Sequence, residues 1–166
     1  MNIVLIGYRG TGKSKVAAKI AQLTGKKVVS SDSMIEQTTQ MTIPEIVQKQ
    51  GWNRFRDIES AQIKKLAELN NIIIDTGGGA ILRKENVAEL KKNGTLYWLK
   101  ANTEVIATRI KNSTNRPALT EGKTFTEEIE EVLKERTPLY QNAADVQIDT
   151  DNLTIEEVAQ IIIKNE

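Results

Sequence analysis

The chain predicts a parallel α/β fold, and three observations carry that expectation. Short β-branched runs recur along it, at Ile3 to Ile6, Lys27 to Ser30, Ile72 to Asp75, Thr95 to Leu99 and Val146 to Asp149. Longer amphipathic stretches separate the runs, the alternation that a parallel sheet with crossover helices requires. Helix-start signals with capping-box spacing stand between them, at Ser33-x-x-Glu36, Thr42-x-x-Glu45 and Thr154-x-x-Glu157.

Taken in order, the first strand begins at residue 3 and runs straight into a glycine loop, so no basic segment precedes an apolar one as a secretory signal would need. Gly25 and Gly51 follow periodic segments and are expected to end helices. Asp32 follows the second run and begins a helix, and Gly77-Gly78-Gly79 comes directly after the third. Between two later helical patterns lies a polar interruption, about residues 111 to 126, which carries Pro117, Gly122 and several hydroxyl side chains. Loops of that length inside compact domains are usually functional or disordered. No repeat, low-complexity tract or linker splits the chain, so residues 1–166 are expected to form a single domain, as the length of 166 suggests.

Composition narrows the chemistry. Lysine plus arginine total 23 against 22 acidic residues, a net charge of +1, which gives no bias towards nucleic acid or an anionic membrane. The longest apolar runs, such as Ile161-Ile162-Ile163, are far too short to span a bilayer. The chain is therefore expected to work in the cytoplasm on a small molecule, as a monomer. It contains no cysteine and no histidine, which removes disulfides, thiol nucleophiles, imidazole bases and metal sites built from those ligands. Catalysis must come from carboxylates, lysine, arginine, hydroxyls, backbone amides or an oxygen-ligated metal.

Gly7-Tyr8-Arg9-Gly10-Thr11-Gly12-Lys13-Ser14 matches G-x-x-x-x-G-K-[ST], placed between an apolar strand and an amphipathic helix where that motif functions. Glycines let the loop wrap a phosphate, with backbone N–H groups and the helix N-terminus aimed at the anion. Gly7, Gly10, Thr11, Gly12, Lys13, Ser14 and Lys15 are thus the candidates for binding a nucleotide. Lys13, read as an exposed loop lysine, would reach the β- and γ-phosphates, and Ser14 would place its hydroxyl on Mg²⁺.

Phosphoryl transfer also needs an acceptor site. Asp32 stands at the carboxyl edge of the sheet, where α/β folds bind ligands, although a helix N-cap would equally explain it. Arg56 and Glu59 are spaced i, i+3 and read as an exposed ion pair. Three successive glycines, Gly77 to Gly79, are expected to leave backbone amides bare to a ligand. Asp75 sits where an acid at a strand end supports Mg²⁺. Arg116, in the polar interruption, would close over the transferring phosphate.

These pieces, with Phe55-Arg56-x-x-Glu59, Arg116-Pro117 and Glu135-Arg136-x-Pro138-Leu139-Tyr140 in that order, make the chain resemble the shikimate kinase family over essentially its whole length. The resemblance implies a P-loop kinase three-layer sandwich, with a five-stranded parallel sheet, a substrate-binding helical part and a lid. It implies ATP-dependent phosphorylation of the 3-hydroxyl of shikimate, on the route to chorismate and the aromatic amino acids. Arg56 and Arg136 would hold the shikimate carboxylate, Asp32 the ring hydroxyls, and Gly77 to Gly79 would line the ring, Gly78 most directly. Lys13, Asp32 and Arg116 would be catalytic, with Arg109 flanking the adenine.

One position departs from the family pattern. Asp-x-Asp is usual, and Ser30 replaces the first aspartate, which in the family helps to hold Mg²⁺ through water. Asp75 is expected to take over part of that role, beside Ser14 and Asp32. The lid reads Arg-Pro-Ala-Leu where Arg-Pro-Leu-Leu is more usual. The rivals are another small-metabolite P-loop kinase, such as a gluconate or nucleoside monophosphate kinase, and a catalytically silent nucleotide-binding module.

Overall fold

The computed structural model describes residues 1–111 and 124–166. The expected strands are all present, as β1 (Asn2–Ile6), β2 (Lys27–Ser30), β3 (Ile72–Asp75), β4 (Gly94–Lys100) and β5 (Val146–Asp149), in one parallel sheet of order β2-β3-β1-β4-β5. β1 is central and buried at every residue. Its side chains alternate between two cores, as the pleat dictates. Val4 and Ile6 face one together with Ile74, Leu96 and Trp98, while Ile3 and Leu5 face the other with Ile73, Tyr97 and Leu99.

Each core is closed by helices. Helices α1 (Lys13–Thr24) and α7 (Ile155–Lys164) cover the Ile3 side through Val16, Ile20, Val158 and Ile162. On the other face lie α3 (Ile43–Ala67), α4 (Lys84–Lys91) and α6 (Phe125–Ala143), contributing Ile63, Leu66, Leu90 and Tyr140. That is the expected three-layer sandwich. Helix α5 (Thr103–Ile110) packs Ile106 and Ile110 against Tyr8, Ile129 and Val132. The short helix α2 (Ser31–Thr39) shares a separate cluster with α3, made of Ile35, Ile43, Ile46 and Phe55. This is the helical part that stands over the sheet's carboxyl edge.

Gly51 ends a helical segment as expected, although no loop follows: at φ 82°, ψ 167° it is the non-helical junction inside α3 where two helical segments meet. Glycine permits the positive φ at that junction. Ser33-x-x-Glu36 is not a capping box, because α2 begins earlier. Ser30 is its N-cap and accepts from the Ser33 amide at 3.3 Å, while Glu36 accepts from the Ile43 amide at 3.1 Å and ties α2 to α3. The boxes at Thr42–Glu45 and Thr154–Glu157 form as expected, and Thr124–Glu127 makes another at the start of α6.

Candidate active site

The glycine loop between β1 and α1 closes on itself. Gly7 has φ 144°, and a Cβ there would stand 2.5 Å from the Leu99 carbonyl oxygen, so the loop leaves β1 through a gap that only glycine fits. Thr11 donates its amide and its hydroxyl to the Tyr8 carbonyl, at 3.3 and 2.8 Å. Lys13 is the first residue of α1, and it is buried, not exposed as the sequence suggested. Its ammonium donates to the Gly7 and Tyr8 carbonyls at 2.7 and 3.1 Å. The reason is local: a tight loop turns carbonyls inward, and buried acceptors need a donor.

Beside this loop a cavity of about 590 Å³ opens at the carboxyl edge of the sheet. It brings together Lys13, Ser14, Asp32, Asp75, Gly78 and Arg109. Gly10, Gly12 and Lys15 also border it. Arg109, in the last turn of α5, donates to the Gly10 carbonyl at 3.2 Å.

The metal candidates meet directly. Ser14 donates its hydroxyl to Asp75 Oδ2 at 2.6 Å. Ser30 lies opposite Asp75 in the β2–β3 ladder, and Ser30 and Asp32 border the same cavity. Among the described residues no group of three or more Asp or Glu forms a protein-only cage. The donors present are hard oxygens and few, which fits Mg²⁺, an ion that keeps several waters and takes its remaining ligands from phosphate. Since Ser30 caps α2, Asp32 occupies the first turn with no capping duty, so the N-cap reading of Asp32 is excluded.

Arg56 and Arg136 do not border this cavity; Arg56 donates to Glu59 Oε2 at 2.7 Å, and Glu59 is fully buried. The expected surface pair is therefore an interior one. Burial pushes the Glu59 carboxyl above its ordinary range, against the pull of Arg56 and, more weakly, of Arg136 and Arg83. Arg136 on α6 is buried as well. The Arg56 guanidinium also lies 5.3 and 5.0 Å from the ring centroids of Trp52 and Phe55.

The glycine triplet divides its duties, contrary to the expectation of three bare amides. The Gly77 amide donates to Ser31 Oγ at 3.0 Å and is already used. Gly79 makes room for Arg56, since a Cβ there would fall 2.3–2.4 Å from the guanidinium. Gly78 alone of the three borders the cavity, and its carbonyl accepts a short hydrogen bond from the Tyr140 hydroxyl. Tyr140 in turn stacks on Trp98 at 5.6 Å, which fixes α6 against the sheet.

Several cavity residues escaped the sequence reading. Leu153, Thr154 and Ile155, at the turn from β5 into α7, form the wall beside Gly12. Their signal was the Thr154 capping box, which marks a helix start at the carboxyl edge of a parallel sheet. Arg9, within the loop motif, also borders the cavity. Arg116 and nearly all of the expected lid lie outside the described residues.

The family model described as shikimate kinase matches residues 9–165. A shikimate kinase from Thermodesulfovibrio yellowstonii is 48% identical over 163 residues, 98% of this chain and 93% of the relative. Among solved structures, shikimate kinase from Acinetobacter baumannii in complex with shikimate is 34% identical with a TM-score of 0.93, covering 99% of this chain and 91% of that one. Shikimate kinase from Aquifex aeolicus is 30% identical with a TM-score of 0.84, over 99% and 95% of the two chains.

Proposed function

Because the chain belongs to the shikimate kinase family, we propose that this cavity transfers the γ-phosphoryl group of ATP to the 3-hydroxyl of shikimate. The observation that carries the reading is spatial: one cavity joins the phosphate-loop residues Lys13 and Ser14 to Asp32 and Gly78, and the buried Arg56–Glu59 pair packs against Gly79 of the same turn. A silent nucleotide-binding module would have no use for that second half.

ATP would lie along the loop, with its phosphates on the loop amides and its base between Arg109 and the Leu153–Ile155 wall. Lys13 would leave the Gly7 and Tyr8 carbonyls for the β- and γ-phosphate oxygens. Arg56 and Arg136 would clamp the shikimate carboxylate with charge-assisted hydrogen bonds, which fixes the ring and turns binding energy into alignment. Asp32 would accept the proton of the 3-hydroxyl as its oxygen forms the new bond to phosphorus, while the bond from phosphorus to the bridging oxygen breaks and ADP leaves. Arg116 would add positive charge to the transferring group. Because this transfer is largely dissociative, most of the rate comes from positioning and electrostatics.

Ser14 would offer its hydroxyl to Mg²⁺ and Asp75 would hold the ion's waters, and the ion would neutralise charge on the phosphate oxygens. With Ser30 engaged as a cap, Asp75 is the acid left beside Ser14. Asp75→Asn should raise the Mg²⁺ concentration needed for half-maximal rate and weaken Mg²⁺-dependent ADP binding in calorimetry, and Ser30→Asp in that background should partly restore both. ADP release measured with and without shikimate tests the whole reading: release that shikimate does not stimulate would overturn it.

A further inference from the structure

Arg9 has no part in the mechanism above, yet it occupies the seam between the two halves of the site. It belongs to the phosphate loop, borders the cavity with Lys13, Asp32 and Gly78, and its backbone amide lies 3.4 Å from where a Gly78 Cβ would stand. The donor side and the acceptor side of the cavity therefore meet at this residue. Its Nη2 donates to Glu128 Oε1 at 3.1 Å, with Glu128 nearly buried in the first turn of α6. Its Nε–H is buried with no hydrogen-bond partner among the described residues.

A buried donor without an acceptor is costly, so a guanidinium held in this way has capacity for one more acceptor. An anion arriving at the seam is the chemistry that matches. The proposed reaction places one there, since the phosphoryl group passes from Lys13 towards the acceptor hydroxyl beside Gly78. Lys13 would approach that group from the ATP side, and Arg9 borders the same cavity. Glu128 meanwhile neutralises Arg9 when the seam holds no anion, and it competes with one that arrives.

We propose that Arg9 binds the phosphoryl group once it is on the acceptor, and that Glu128 is a built-in counter-ion which limits how tightly the phosphorylated product is held. The inference rests on the kinase reading and deepens it. It makes Arg9 a product-side phosphate contact, distinct from the carboxylate clamp of Arg56 and Arg136. It also gives the Arg9–Glu128 pair a use beyond bracing, because a counter-ion that competes with product favours its release.

Calorimetric binding of shikimate 3-phosphate and of shikimate, to the parent, Arg9→Met and Glu128→Gln, tests this. Arg9→Met should weaken the phosphorylated compound by roughly 10- to 150-fold, the usual loss for a charge-assisted contact, and shikimate by much less. Glu128→Gln should tighten the phosphorylated compound several-fold, because the competing charge is gone. Opposite signs for the two variants are the decisive result. If both variants weaken both compounds by similar factors, the pair is only a brace between the phosphate loop and α6, and the proposal fails. If Arg9→Met binds both compounds as the parent does, Arg9 touches neither and the proposal also fails. Should either variant be poorly folded, Arg9→Lys and Glu128→Asp, which keep the pair, report the same comparison with smaller changes. Failure of the kinase reading is separable, since the parent would then not phosphorylate shikimate at all.

Discussion

Two carbonyl oxygens hold the Lys13 ammonium inside the phosphate loop, so this residue serves the loop before any nucleotide arrives. Lys13→Met should lower turnover by two to three orders of magnitude, about the loss seen when a single preorganised donor is removed. It should also lower unfolding stability by about 1–3 kcal/mol, because the Gly7 and Tyr8 carbonyls lose a buried donor. Denaturant unfolding beside steady-state rates separates the two effects. For Arg56→Ala and Arg136→Ala, the apparent affinity for shikimate should fall roughly 10- to 150-fold while that for ATP stays near normal. Equal losses for both substrates would show that the arginine serves only the fold. Glu59 adds a pH signature. Its carboxyl is raised by burial, so its contribution to stability is fully present below the ordinary carboxylate range and is lost as pH rises through the raised value. The thermal stability of the parent relative to Glu59→Gln should therefore improve as pH falls from neutral towards about 4.5.

At the scale of elements, the turns at the carboxyl edge of the sheet do more than connect. The turn after β3 gives Gly77 to Ser31, Gly78 to the cavity and Gly79 to Arg56, and so joins α2, the site and α3. Gly79→Ala should fold, since only the tip of a flexible side chain is displaced, but it should move the Arg56 guanidinium and raise the KM for shikimate more than that for ATP. Gly7→Ala should behave differently. Its new Cβ meets the Leu99 carbonyl at 2.5 Å with φ 144°, and rigid backbone on both sides offers no escape. A large fall in melting temperature, with both substrates affected, is the expected outcome.

At the scale of the whole molecule, the sheet order puts β1 between β3 and β4, so the phosphate loop, Asp75 and the Gly78 turn all emerge at neighbouring positions of one edge. The proposed site therefore draws on both layers of helices: α1 and α7 beside the proposed nucleotide position, and α3 and α6 around the proposed carboxylate clamp. Ligands that bridge these layers should stabilise the fold as a unit. At 100 times its dissociation constant, one ligand adds about 2.7 kcal/mol, which for a chain of this size corresponds to about 5–11 °C in melting temperature. ADP and shikimate added separately should each raise the melting temperature in a scan, with the Lys13 and Arg56 variants losing the response to one ligand only.

The strands and most helices were legible in the sequence because their signals are local: β-branched runs, capping boxes and glycines act within a few residues. The phosphate loop was legible for the same reason, since strand, glycines, lysine and helix are contiguous. Asp32 was ambiguous because a cap and a ligand contact use the same side chain, and only the hydrogen bond from the Ser33 amide to Ser30 gave the cap to Ser30 instead. Burial was not legible. Lys13 and the Arg56–Glu59 pair read as exposed, because the sequence spacing that makes a surface pair is the spacing that makes a buried one. The roles of Tyr140, Glu128 and the Leu153–Ile155 wall are set by contacts between elements far apart in the chain. The sequence by itself determined which strands form and where the glycine loop between β1 and α1 lies; the tertiary structure decided which charges are buried and which residues meet across the cavity. The physical reason is that desolvation and side-chain contact depend on how distant segments pack, whereas strand, helix and loop signals are written in adjacent residues.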